Sequence, residues 1–530
     1  MALFRRALAS ASSLSRQSGC RRWLFGWEEN KKTNRTFSSS SSSSSGLSGT
    51  GPTQELELDK WNLSKHLEGL IKFRGGPVTF AEYMQTALSS PVGGYYGNRY
   101  LTGEEGEGEG EGESQTEKKE GKKGNPVSAT SPVIGARGDF VTSPEISQLF
   151  GEMVGLWCVT VWQQLGSPKA LRLVELGPGK GTLMADLLRS TKSPSSPIFS
   201  SFQAALKNGP HAGVHLVEIS SFFRKSQAEA LSAWENHNSN DVVSGKGEGE
   251  GRVKWYSTLG EIPNDVDIPT IYIGHEFLDA LPVHMFVKKS QVWAEILVDL
   301  KKQQAISLDP DTQKKEPEFE MKLSPGATPA MKMLLTPKLE SLNDSVSANL
   351  KELEISASAM EHTLELGKRL VSNKAGGAAL FIDYGYTDLP GRFTCRAIHA
   401  HKVLDDLLEL TGAADLTADV DFGALKWAIE NNEWTGTAPT VHGPVSQAKF
   451  LQSLGIEFRL QNLLQTTKMT KEQAEDLILG YKRLVSNETF KVDVDEGRSG
   501  EALEMSGMGD VYKAMAITSF PDPSSAPVGF

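Results

Sequence analysis

Cysteine is nearly absent: three residues in 530, at 20, 158 and 395, are too few and too scattered for a disulfide framework or a zinc site. No run approaches 18 apolar residues, so no stretch reads as a transmembrane helix. A surplus of basic charge is missing as well. Lys and Arg number 55 against 66 Asp and Glu. Residues 1–50 hold eight of the basic and two of the acidic residues, so the net charge of −11 for the whole chain becomes about −17 without them. General electrostatic binding to nucleic acid is therefore disfavoured, and a basic peptide or a cationic side chain is the more natural acceptor.

Length allows two or more domains, or one elaborated domain with inserts. The segment Met1 to Arg22 is basic, rich in Ser and Ala, and lacks the apolar core of a secretory signal. It reads as an organelle-targeting presequence, mitochondrial by the arginine in Arg35-Thr36-Phe37-Ser38, with chloroplast import and a plain disordered tail as the other readings. The chain then divides into a presequence and Ser-rich linker at 1–50, an N-terminal helical segment at 60–100, and a Glu/Gly-rich insert expected to be disordered at 101–130. An α/β core follows at 131–300, a polar insert at 301–350, and a second part of the core with a helical insertion at 351–520.

The core is organised around Leu171 to Asp186, LRLVELGPGKGTLMAD. A short apolar strand ends at Glu175, passes through glycines 177, 179 and 181, and enters a helix carrying Leu183, Met184, Leu187 and Leu188. Glycines let the backbone take torsions closed to other residues and approach a ligand, while the helix start leaves amide donors free. The dinucleotide fingerprint needs G-x-G-x-x-G, but here the third glycine comes one residue early and Thr182 fills its place. An acid two residues before G-x-G-x-G resembles instead the nucleotide-binding motif of S-adenosylmethionine-dependent methyltransferases. An ordinary tight strand–helix connection fits the same residues.

Other segments supply strand-end acids. Val214 to Ser220 reads as a second apolar strand, ending at Glu218, placed to bind ribose hydroxyls beside the first. A Ser/Pro-rich connection, Ser190 to Pro210, separates the two. Val253 to Ser257 and Thr270 to Gly274 read as further strands, the latter followed by His275-Glu276-Phe277-Leu278-Asp279, with carboxylates at 276 and 279 at the crevice edge. A helix is expected from Ser143, with Pro144 as its first residue, and a hairpin or single strand over 283–300. A helix over 358–370, a buried strand ending at Asp383, and helices at 403–410, 422–429, 448–454 and 471–484 follow. The last strand, Val511 to Phe520, should be antiparallel.

The ordered segments GGYYG, GDFVTSPEISQLFGE, LVELGPGKGTLMADLLR, VHLVEIS, HEFLDALPVHMF, FIDYG and DLTADVDF resemble the MidA-type protein arginine methyltransferases, over roughly Leu63 to Phe520. That family includes a mitochondrial assembly factor for respiratory complex I. The resemblance implies a Rossmann-like seven-stranded α/β methyltransferase fold with added helical regions, S-adenosylmethionine as methyl donor, and symmetric dimethylation of an arginine in a hydrophilic complex I subunit, in the mitochondrial matrix. It maps donor binding onto Glu175, Gly177, Gly179, Gly181 and Glu218. Glu276 and Asp279 become the candidate catalytic pair, since carboxylates in bidentate contact can orient a guanidinium. His275 stands where the family has asparagine and Leu278 where it has phenylalanine. Ser446-Gln447-Ala448 replaces threonine-glutamine-glycine. A non-catalytic assembly chaperone that keeps the fold is the alternative, and a small-molecule methyltransferase a third.

Overall fold

The computed structural model describes residues 63–97, 141–235, 252–264, 268–302, 316–492 and 503–530. The expected presequence, the Glu/Gly-rich insert, a second, shorter Glu/Gly-rich tract expected at 245–251, and residues 138–140 lie outside them.

Seven strands form the main sheet. They are β1 (Arg172–Leu176), β2 (Gly213–Val217), β3 (Val253–Tyr256), β4 (Thr270–His275), β5 (Gly377–Tyr386), β6 (Thr440–Ser446) and β7 (Tyr512–Ser519). Their spatial order is β6-β7-β5-β4-β1-β2-β3, with a short eighth strand, Val420–Asp421, beside β5. β7 runs antiparallel to both of its neighbours, and the central contacts are parallel. The order reverses between β1 and β4, so the crevice for a ligand opens outside their carboxyl ends.

Residue alternation on β1 sets the two faces. Leu171 and Leu173 pack with one core cluster, while Val174 and Leu176 pack with the other. By the same period Glu175 faces the first cluster, although it is an acid. That cluster includes Phe150 and Trp157 of α1 (Gln148–Gln164) and Leu183 and Leu187 of α2 (Thr182–Ser190). α3 (Ser221–Glu235) follows β2, and α4 (Ala357–Ser372) supplies Leu366 and Leu370 to the second cluster.

Several expectations need correction. The helix expected from Ser143 is two: a single turn, Ser143–Ile146, and then α1, because Ser147 adopts an extended conformation and caps α1 through Leu149 N–H. The Ser190 to Pro210 connection contains the helix Pro197–Ala205, capped by Ser196. The helix expected over 403–410 does not form. Arg396–His399 and Lys402–Val403 make a small antiparallel ladder there, and Asp415–Thr417 joins its other side. Apolar spacing at 403, 404, 407 and 408 imitates a helix; Leu404 and Leu407 instead meet the N-terminal cluster from a turn.

A second sheet was not legible as such. His284–Lys289 and Val292–Leu300 form the hairpin that was one of two readings, and Val78–Thr79, Phe319–Leu323 and Glu352–Ile355 complete an antiparallel sheet around it. The polar stretch 301–350 thus contributes an edge strand and short helices at 331–341 and 344–349. Its polarity reflects elements with one wet face. The N-terminal helices Leu63–Arg74 and Phe80–Ser89 pack against this sheet, the second opened by the Thr79/Glu82 capping box.

Candidate active site

At the reversal point lies a cavity of about 330 Å³, lined by Glu175, Gly177, Gly179, Glu218, Glu276 and Phe277 among others. Gly177, Gly179 and Gly181 have φ of 59°, 52° and 85°, a region that L side chains avoid. A Cβ on Gly177 would also stand 3.1 Å from the Phe277 ring. Gly181 is not part of the lining; it starts α2 and packs on Gln227, where a Cβ would approach the backbone to 3.2 Å.

The carboxylates of the cavity are unusual in being buried. Glu175 is 2% exposed, its Oε2 finds no hydrogen-bond partner, and burial pushes its pKa up to about 8. Glu218 accepts from Ser220 N–H at 2.8 Å and from the Gln227 amide at 3.2 Å, and burial raises it to about 7. Gln227 was not singled out in the sequence. Its Nε2 donates also to the Gly179 carbonyl at 2.7 Å and its Oε1 accepts from the Trp255 indole, so one buried amide ties the glycine turn to Glu218. A glutamine on an otherwise ordinary helix gives no signal of this.

Glu145, from the single turn before α1, accepts from Thr182 Oγ1 at 2.5 Å and sits 3.7 Å from Lys180 Nζ. The SPEIS motif therefore braces the glycine turn, and its Pro144 and Glu145 also line the cavity.

Beyond β4 the chain makes a tight turn. Glu276 has φ of 47°, its N–H donates to the Ile382 carbonyl, and its Oε1 accepts from Ser143 N–H at 3.3 Å. Burial, with a contribution from the charge of Asp279, pushes its pKa up to about 8. His275 Nε2 lies 3.3 Å from Glu276 Oε1, but burial lowers the imidazole pKa to about 3, so the contact is not an ion pair. The His275 ring tilts against Phe150 at 4.7 Å.

Asp279 separates from Glu276. It does not line the cavity; its Oδ2 accepts from the Tyr384 hydroxyl and from Thr417 Oγ1, and its Oδ1 is buried without a partner. Asp383 holds the turn between them. Its Oδ2 accepts from the N–H groups of Phe277, Leu278 and Asp279 at 3.2, 3.0 and 3.3 Å. Burial, then the charges of Asp279 and Glu276, raise its pKa well above the ordinary carboxylate range. The acid before Tyr384-Gly385 thus shapes a turn 104 to 106 residues away in sequence, not its own. We expect Asp383→Asn to lower the turnover of the site ~10²-fold by loosening Glu276, with donor affinity kept within about threefold. Single-turnover kinetics beside donor titration checks this; equal losses in both would mark a general structural role.

The replaced segment Ser446-Gln447-Ala448 does not line the cavity. Ser446 caps the helix Gln447–Ser453, and buried Gln447 donates to the Leu484 carbonyl.

These residues fit S-adenosylmethionine on their own chemistry. The unpartnered Glu175 oxygen suits a cationic amino group, Glu218 can take ribose hydroxyls, and the glycines give the backbone close approach.

Comparison with known proteins agrees with that geometry. Residues 153–440 match the family described as "Putative S-adenosyl-L-methionine-dependent methyltransferase". The protein arginine methyltransferase NDUFAF7, mitochondrial, of Xenopus tropicalis is 34% identical over 436 residues, 80% of this chain and 82% of that protein. The human protein of the same name is 34% identical over 427 residues, covering 80% and 79%. A crystal structure from Burkholderia thailandensis, bound to S-adenosyl-homocysteine, covers 88% of this chain and 93% of its own with a TM-score of 0.54 and 22% identity, a likeness of fold.

Proposed function

From the premise that this chain belongs to that S-adenosylmethionine-dependent methyltransferase family, we propose that it methylates arginine side chains of a protein. We further propose a mitochondrial setting, with residues 1–50 as presequence, and symmetric dimethylation of a hydrophilic complex I subunit in support of complex I assembly. The relatives, named as mitochondrial protein arginine methyltransferases, support the setting and the residue type.

The observation that carries the arginine reading is Glu276: a nearly buried carboxylate lining the donor cavity beside Glu175 and Glu218 and held by a positive-φ turn, while Asp279 turns away. The donor, when bound, supplies a methyl group activated by its sulfonium. A guanidinium is a weak nucleophile, because its lone pairs are delocalised and its pKa lies above ~12. Glu276, once ionised, orients it and keeps positive charge on the nitrogen that is not attacking. Glu175 holds the donor's amino end and Glu218 its central ribose, and apolar Leu176, Leu259 and Phe277 exclude water. As the nitrogen–carbon bond forms and the sulfur–carbon bond breaks, the electron pair returns to sulfur and the nitrogen releases one proton. Positioning supplies most of the acceleration in such an in-line displacement.

The test is incubation of the full chain with hydrophilic complex I subunits and deuteromethyl-labelled S-adenosylmethionine, followed by peptide mass spectrometry. Label on arginine is expected. Donor binding with no labelled arginine would favour a non-catalytic chaperone.

A further inference from the structure

A second cavity, of about 390 Å³, lies across the turn from the first, and the two share no lining residue. The turn itself is the partition: Phe277 and Leu281 line the donor cavity, whereas Leu278 and Val283 line the second. α4 divides in the same way, with His362 on one side and Met360 on the other.

The polar groups of the second cavity can be accounted for one at a time. Glu354 is satisfied by Thr394 N–H, Thr394 Oγ1 and Cys395 N–H. Asp421 is satisfied by Lys338 Nζ at 2.8 Å and by Ala424 N–H. Asp419 spends Oδ1 on Arg396, which leaves Oδ2 free. Asp388 has no partner among the described residues, and neither does the Tyr386 hydroxyl. What is left over is the Asp388 carboxylate, one oxygen of the Arg396-paired Asp419 and the Tyr386 phenol, in a space walled by Val346, Met360 and Trp427.

That combination, an apolar wall beside one unpaired carboxylate and two further acceptor oxygens, suits a long cationic side chain, whose stem buries while its head stays polar. We propose that the second cavity receives a second lysine or arginine of the acceptor polypeptide, on the far side of the turn from the arginine that is methylated. This rests on the arginine reading above, and it fits a chain whose net charge, without residues 1–50, is about −17. The acceptor must then straddle the Glu276–Val283 turn, so recognition needs two basic residues and not one.

The experiment uses the full chain with S-adenosyl-homocysteine and synthetic fluorescent peptides. One peptide carries a single arginine among glycines, and the others add a second arginine at varied spacing. Fluorescence anisotropy should show at least one two-arginine peptide binding about tenfold tighter or better. Asp388→Lys and Val346→Trp, both at exposed positions, should each abolish that gain while donor affinity stays within about twofold. No gain at any spacing, or a gain that survives both substitutions, overturns the proposal. Mass spectrometry of the same peptides after separate incubation with the full chain and S-adenosylmethionine separates the two readings: a binding gain that depends on Asp388 without methylarginine keeps the basic subsite and contradicts the transfer reaction.

Discussion

Glu276→Gln should lower the rate of methyl transfer ~10²–10³-fold while leaving donor affinity within about threefold. The amide has nearly the shape of the carboxylate, and its oxygen can still accept from Ser143 N–H, so the turn should persist. What it lacks is the negative charge that holds positive charge on the guanidinium's non-attacking nitrogen. The other carboxylates are committed elsewhere: Glu175 and Glu218 to the donor, Glu145 to Thr182 and Lys180, and Asp279, outside the cavity, to Tyr384 and Thr417. Asp279→Asn should therefore cost less in rate than Glu276→Gln. Methylation by Glu276→Gln at the wild-type rate would remove Glu276 from the chemistry.

Gly177→Val should abolish donor binding, with affinity down more than ~100-fold. Two effects combine. Valine at φ 59° sits in a region that costs ~1–2 kcal/mol for an ordinary L residue and more for a β-branched one. Its Cβ would meet the Phe277 ring at 3.1 Å, and the two further methyls must enter the cavity or displace that ring. Gly177→Ala, with one carbon, should fall between. Equilibrium dialysis with labelled donor checks the series. A folded valine variant that binds like wild type would mean the donor lies elsewhere.

What the sequence revealed of this site, and what it hid, follows from the range of each signal. The strand, glycine turn and helix from 171 to 190 were readable because every cue is local: an apolar run, glycines where φ is positive, and helical spacing after them. The strand-end acids Glu175, Glu218 and Glu276 were readable for the same reason, and all three line one cavity. Asp279 reads as a partner of Glu276 because three residues separate them, yet the sharp turn sends their side chains apart. That turn depends on Asp383, an acid about a hundred residues later, and no local pattern announces such a contact. Gln227 was invisible on the same ground: its three partners come from the glycine turn, β2 and β3.

The second sheet shows the limit at a larger scale. Its strands come from residues 78 to 355, each short, and the sequence between them suggests separate pieces. Only the stretch 283–300 carries a local signal, an alternation that fits a hairpin or a single strand. The ladder at 396–417 was misread because a few leucines at helical spacing say nothing about whether the backbone between them can pair elsewhere.

The most direct measurement of the central claim, that the crevice between β1 and β4 holds the methyl donor through buried carboxylates, is calorimetric titration of the full chain with S-adenosylmethionine, in buffers of different ionisation enthalpy. Burial raises Glu175 to about 8 and Glu218 to about 7, so near pH 6.5 both hold protons for much of the time. A cationic donor favours the ionised form and lowers the Glu175 pKa on binding. The account predicts ~micromolar affinity, release of about one proton near pH 6.5, and tighter binding as pH rises through 7 to 8. Folded protein that binds no donor, or that binds it with no proton released and no pH dependence, would contradict it.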